Sequence, residues 1–253
     1  MATRKRKNDS PIGIGLTAKQ MRRKKPINTD AMVDIQPLTE NQKKFFKSYE
    51  ENKHIFAYGA AGTGKTFVGL YLALREVLDE ISPYEKVYIV RSLVATREIG
   101  FLPGDHDDKA DIYQIPYKNM VKYMFEMPDD QSFDMLYGAL KTQETIKFWS
   151  TSFLRGSTMD NCIILVDEMQ NLSGHELDSI ITRVGENCRI IFCGDVNQTD
   201  LIKERERNGI FDFQNIIKSM PSFESIEFDI NDIIRSGLCR EYLLAKEALS
   251  IKF

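Results

Sequence analysis

The sequence predicts a three-layer α/β fold, a parallel β-sheet covered by helices on both faces. Two observations carry that expectation. Short, almost continuously apolar runs alternate along the chain with longer helical patterns, and strands without in/out alternation are those buried on both faces. Between the first such run and the first long helix stands the octapeptide Gly59-Ala60-Ala61-Gly62-Thr63-Gly64-Lys65-Thr66. That is the place where a strand–turn–helix unit turns glycine-lined backbone amides toward a phosphate.

The elements follow in order. Residues 1–36 mix basic clusters with Pro11, Gly13, Gly15 and Pro26, lack periodicity, and read as a flexible arm. Nine Lys/Arg face a single acid, Asp9, within residues 1–25; this stretch carries +8, and the remainder −11 of a net −3. Such an arm meets a polynucleotide by neutralising phosphates, or it serves as a solvated tail; the composition admits both. One domain is expected over 37–253, opening with a helix capped by Thr39 and running through Gln42, Phe45, Phe46 and Tyr49. Strands are expected at 54–59, Lys86–Arg91, Cys162–Asp167, Arg189–Cys193 and Ser225–Phe228. Helices are expected at 65–80, about 175–184, about 206–220 and 239–250. Residues 101–156 interrupt the alternation with Pro103, Pro116, Pro128 and a mostly helical middle, and read as an insertion over the strand ends. Its aromatics (Tyr113, Tyr117, Tyr123, Phe125, Trp149) suit either a local core or a stacking surface for bases.

Composition narrows the classes. No apolar stretch approaches a membrane span and no hydrophobic signal segment opens the chain, so a cytoplasmic location is expected. The four cysteines (Cys162, Cys188, Cys193, Cys239) contain no CxxC pair; Cys162 and Cys193 lie in strand-like runs and read as reduced buried thiols. His54, His106 and His175 are scattered, so no metal cluster is expected from them.

The chemistry gathers at three strand ends. In the loop at 59–66, Lys65 is placed to reach the β and γ phosphates of ATP and the Thr66 hydroxyl to ligate Mg²⁺. Ile163-Ile164-Leu165-Val166 ends in Asp167 and Glu168. Asp167 would hold the Mg²⁺ shell and Glu168 would polarise the attacking water, which points to hydrolysis and away from a small-molecule kinase. A third run ends in Phe192-Cys193-Gly194-Asp195-Val196-Asn197-Gln198, where Gln198 would sense the γ-phosphate or its water, unless this is an ordinary strand-exit turn.

Taken together these segments resemble known sequences. GAAGTGKT, VDEMQN and FCGDVNQTDL resemble motifs I, II and III of superfamily 1 helicases, and Gln42 resembles their adenine-reading glutamine. More closely, the series resembles the PhoH-like, phosphate-starvation-inducible ATPases. Arg91, the 98–105 segment EIGFLPGD, the Lys109–Asp111–Tyr113–Pro116 spacing, Arg155-Gly156-Ser157-Thr158 and Asn231-Asp232-Ile233-Ile234-Arg235 carry that likeness, which spans about residues 38–245. Where the family commonly has His-Pro after the late arginine, this chain has Ser236-Gly237. Short forms with a basic arm and no appended domain resemble those carried by bacteriophages, which would place the protein in a host cytoplasm.

The resemblance implies a RecA-like P-loop NTPase domain that hydrolyses ATP with Mg²⁺ and acts with RNA or single-stranded nucleic acid. A nucleotide-gated binding or assembly module is the alternative. Helicases of superfamily 1 close their ATP site with a second RecA-like domain. After Glu168 only 85 residues remain, fewer than sheet completion plus a domain of about 100–150 residues needs. The expectation is therefore a homo-oligomer, such as a hexameric ring, in which a neighbour supplies an arginine. Arg235 is the first candidate for that finger, with a surface ion pair as its other reading.

Overall fold

A computed structural model of the chain describes residues 27–92, 106–150, 158–195, 204–235 and 237–249. Six strands form one sheet: β1 (His54–Gly59), β2 (Lys86–Arg91), β3 (Ile146–Ser150), β4 (Cys162–Asp167), β5 (Cys188–Gly194) and β6 (Phe223–Phe228). Their order is β3-β2-β4-β5-β1-β6, and every pairing is parallel. The helices are α1 (Glu40–Glu50), α2 (Lys65–Leu78), α3 (His106–Met124), α4 (Asp130–Thr142), α5 (Gly174–Ile181), α6 (Glu204–Ser219) and α7 (Gly237–Ala248).

The period-two geometry of a strand explains the continuous apolar runs. Along β4, Ile163 and Leu165 enter one core together with α1 to α4, while Cys162, Ile164 and Val166 enter a second core with α5 and α6. Each fully buried aliphatic or aromatic side chain contributes about 1.5–3 kcal/mol before conformational entropy is subtracted. Caps fix where helices begin: Thr39 Oγ1 accepts from the Gln42 amide (3.3 Å), and Ser173 with Glu176 forms a reciprocal capping box on α5.

Two expectations change. Residues 27–36 belong to the folded body and not to the arm. Ile27, Met32 and Ile35 pack on the larger core, and the Val33 amide donates to the Met124 carbonyl (2.9 Å). Three apolar side chains in a polar stretch were too sparse to show a period. The segment 101–156 also supplies more than helices: Ile146–Ser150 is the edge strand β3, paired with β2, with Trp149 stacked on Tyr88 at 4.6 Å between centroids. Residues 1–26, and with them the expected basic arm, lie outside the described residues. Among the described residues, no helix is long and apolar enough to cross a membrane.

The topology sets up the site. β5 separates β4 from β1, so the acidic pair at the end of β4 lies one strand removed from the loop after β1. What bridges the gap is the start of α2.

Candidate functional site

The loop between β1 and α2 depends on glycine. Gly59 (φ +112°) lies so close to β6 that a Cβ there would run into the Phe228 carbonyl, and Gly64 at the N-cap of α2 is left-handed (φ +82°). Lys65, the first residue of α2, folds back over this loop. Its Nζ donates to the carbonyls of Gly59 (2.9 Å) and Ala60 (2.6 Å) and to Thr63 Oγ1 (3.2 Å). The residue is 8% exposed. Burial pulls its pKa below the ordinary lysine value, and the nearby Asp195, Glu168 and Asp167 pull it back. No ion pair to Lys65 is present among the described residues.

Thr66 reaches across to β4: its Oγ1 donates to Asp167 Oδ1 at 2.6 Å. The other carboxylate oxygen is taken by Tyr117, whose phenol donates to Asp167 Oδ2 at 2.7 Å. Tyr117 comes from α3, which thus plants a side chain beside the acidic pair. Burial and then the Asp167 carboxylate push the tyrosine pKa upward, while the Arg91 guanidinium beside it pulls it down. Arg91 ends β2 and is the register partner of Asp167.

Glu168 follows in a left-handed conformation (φ 50°, ψ 43°). That costs an L-residue about 1–2 kcal/mol. Gln170 holds it there. The Gln170 Nε2 donates to Glu168 Oε2, and its Oε1 accepts from the Asp195 amide at 2.9 Å. Gly194 permits this, since a Cβ there would overlap Gln170 Oε1. A physical link thus runs from the end of β5 to Glu168. Gln198, three residues beyond Asp195, lies outside the described residues, as do 101–105 and 155–157.

The outer candidates are placed as follows. Gln42 is buried beneath the loop with both ends of its amide engaged: Nε2 donates to the Thr63 carbonyl (2.9 Å) and Oε1 accepts from the Leu38 amide (2.8 Å). It braces the loop with one hydrogen bond at each end of its amide. Arg235 lies against its own chain's loop. A Cβ on Gly62 would sit 3.0 Å from Arg235 Cγ, and the Ile234 amide donates to the Gly62 carbonyl at 3.2 Å. One copy alone brings this exposed arginine to the loop, so a neighbour is not required to deliver it there. Tyr117 and Gln170 are the residues that sequence reasoning missed. Gln170 stands inside the VDEMQN segment and could have been found; Tyr117 carries no sequence signal for a contact 50 residues away.

The oxygen set suits a hard divalent cation. Thr66 and Asp167 converge within hydrogen-bond distance beside a lysine and a row of loop amides, which is the donor chemistry that Mg²⁺ with a phosphate chain requires.

The family model and the similar sequences point to one family. The family model described as "PhoH-like protein" matches residues 34–247. A PhoH-like protein of Synechocystis is 28% identical over 217 residues, covering 84% of this chain and 62% of the relative. Protein PhoH of Escherichia coli K12 is 29% identical over 208 residues, covering 81% and 56%. The chain thus spans roughly three fifths of the length of these curated relatives. Among solved structures, the large terminase of a thermophilic bacteriophage in complex with ADP aligns at a TM-score of 0.49 with 12% identity, over 83% of this chain and 50% of that one.

Proposed function

Since the chain belongs to the PhoH-like family, we propose that it binds ATP with Mg²⁺ at the loop 59–66 and hydrolyses it, coupling turnover to RNA or single-stranded nucleic acid. The observation that carries this reading is the convergence of Lys65, Thr66, Asp167 and Glu168 at one end of the sheet. The loop amides and the positive end of α2 receive the phosphates. Lys65 exchanges backbone carbonyls for phosphate oxygens. Thr66 and Asp167 would hold Mg²⁺, which, when bound, neutralises charge between the β and γ oxygens.

Glu168, held by Gln170, orients and deprotonates the attacking water. Its strained backbone is consistent with a position fixed for chemistry. Because Gln170 also accepts from the Asp195 amide, any movement at the end of β5, where Gln198 follows, is felt at Glu168. Arg235 supplies positive charge from the same chain, by its place against Gly62. Self-association into a ring then serves nucleic-acid binding by many copies of the basic arm, more than it serves completion of the phosphate site.

The test is phosphate release by purified protein with and without single-stranded RNA and DNA, alongside its mass in solution. Stimulation by either polymer supports coupled hydrolysis. Turnover that neither polymer changes supports the alternative, in which ATP sets conformation or assembly.

A further inference from the structure

At the opposite end of the sheet lies chemistry that nucleotide binding does not use. Cys162 opens β4 and Cys188 opens β5, and the two are register partners on adjacent parallel strands. Their sulfurs are 3.4 Å apart. Neighbouring strands run about 4.8 Å apart, inside the range of Cα separations that a disulfide spans. The two strand openings are held side by side, since Asn161 and Asn187 just before them both take left-handed turns and the Asn187 side-chain amide donates to Asn161 Oδ1 at 3.0 Å. The environments of the two sulfurs differ. Cys162 is fully buried in the second core, whereas Cys188 is half-buried, at the edge where solvent and small oxidants reach it.

We propose that Cys162 and Cys188 form a reversible redox site, in which a hydroperoxide-class oxidant converts the pair to an intramolecular disulfide and a dithiol reductant restores it. Cys188 is the attacking sulfur. Its thiolate forms an S–O bond to the terminal peroxide oxygen as the O–O bond breaks, and the departing oxygen takes a proton and leaves as water from hydrogen peroxide or as an alcohol from an alkyl hydroperoxide. Cys162 then attacks the Cys188 sulfur: the S–S bond forms, the S–O bond breaks, and the Cys162 proton leaves in a water molecule. Two electrons pass from the two thiols to one peroxide.

The electrostatics agree with this division. The contact with Cys162 holds the Cys188 sulfur below the usual thiol range, and that same contact and then burial push Cys162 upward; Cys188 also donates to the Met159 carbonyl at 2.8 Å, a bond it gives up on ionising. Cys193, by contrast, is pushed well above the usual range by burial and stands in the other core. The bond would close a loop that contains Asp167, Glu168, Gln170 and α5, so oxidation ties together the two strands that carry the acidic pair and the Asp195 amide.

The experiment treats the full chain with hydrogen peroxide, alkylates it, and maps its tryptic peptides. Cleavage after Arg155, Arg183 and Arg189 puts the two cysteines on different peptides. The expected result is one linked species joining 156–183 to 184–189, lost on treatment with dithiothreitol. Thermal unfolding should shift upward by several degrees in the oxidised form. Cys162→Ala should stop the reaction at a sulfenic acid on Cys188 that dimedone traps, and Cys188→Ser should leave Cys162 alkylatable. Persistence of both thiols under conditions that oxidise exposed Cys239, or a dimedone adduct on Cys188 of the wild-type chain with no linked peptide, would overturn the proposal.

Discussion

Two buried cations at opposite ends of the sheet show how this fold separates support from function. Arg189, at the N-terminal end of β5, is 3% exposed and fully answered by the protein. It pairs with Glu76 at 2.7 Å, donates to Asn52 Oδ1, and lies over the Tyr49 ring at 4.1 Å from its centroid. Lys65, at the other end, is almost as buried, yet its contacts are carbonyls of its own loop and one hydroxyl. A buried charge without a carboxylate in ion-pair contact is costly even with Asp195, Glu168 and Asp167 nearby, and a site that retains one is suited to receive an anion. Under the proposed function, Arg189 serves stability and Lys65 ligand binding.

Replacement of each cation breaks or sharpens that contrast. Arg189→Ala leaves Glu76 without its partner and removes the guanidinium from over the Tyr49 ring. It should cost about 3–5 kcal/mol, read as a fall in the thermal midpoint on the order of 10 °C, with ATP affinity of the folded fraction unchanged. Lys65→Met should do the reverse. Unfolding should be no easier than in the wild type, while the ATP dissociation constant rises roughly ten- to hundredfold, as expected for loss of a hydrogen-bonded charge. If calorimetry gave Lys65→Met the larger stability loss, the contrast would be wrong.

A smaller effect tests the reach of the helical segment into the site. Tyr117→Phe removes the donor to Asp167 Oδ2 without changing shape, and outer-shell partners of metal-binding carboxylates matter at about the tenfold level. The Mg²⁺ concentration for half-maximal turnover should rise by about that factor, with little change in the maximal rate. A lowered maximal rate at unchanged Mg²⁺ dependence would make Tyr117 part of the core alone.

The smallest expected effect is in the pH dependence of binding. Under the proposed function, protonated Lys65 is the form that binds phosphate, and burial lowers its pKa in the free protein. Affinity for ATP should therefore decline with rising pH before ordinary lysines titrate, and a titration of the dissociation constant between neutral and alkaline pH reads this directly. Lys65→Met should lack this decline.

What the sequence revealed divides along the same physical line. β1, β4 and the loop were legible because strands buried on both faces write themselves as apolar runs, and because the octapeptide fixes backbone shape through Gly59 and Gly64. β3 was not legible: at a sheet edge, Ile146 and Phe148 alternate with Lys147, and five such residues inside a helical segment carry no distinct period. The packing of Ile27, Met32 and Ile35 and the contact of Tyr117 with Asp167 depend on the tertiary arrangement alone. So does the Cys162–Cys188 pair, which the lack of a CxxC spacing hid until register placed the two side by side. In the candidate site, the residues at strand ends were readable one by one. The Gln170 link between Glu168 and Asp195 became visible only with the strand order.

The central claim is that the acidic pair turns a bound triphosphate over. Glu168→Gln keeps the shape and the Gln170 contact while removing the base. Measurement of ATP binding and single-turnover hydrolysis by this variant tests the claim most directly. The account predicts wild-type affinity with hydrolysis slowed by about 10²–10⁴-fold, so that ATP remains trapped on the protein. Hydrolysis at the wild-type rate would contradict it.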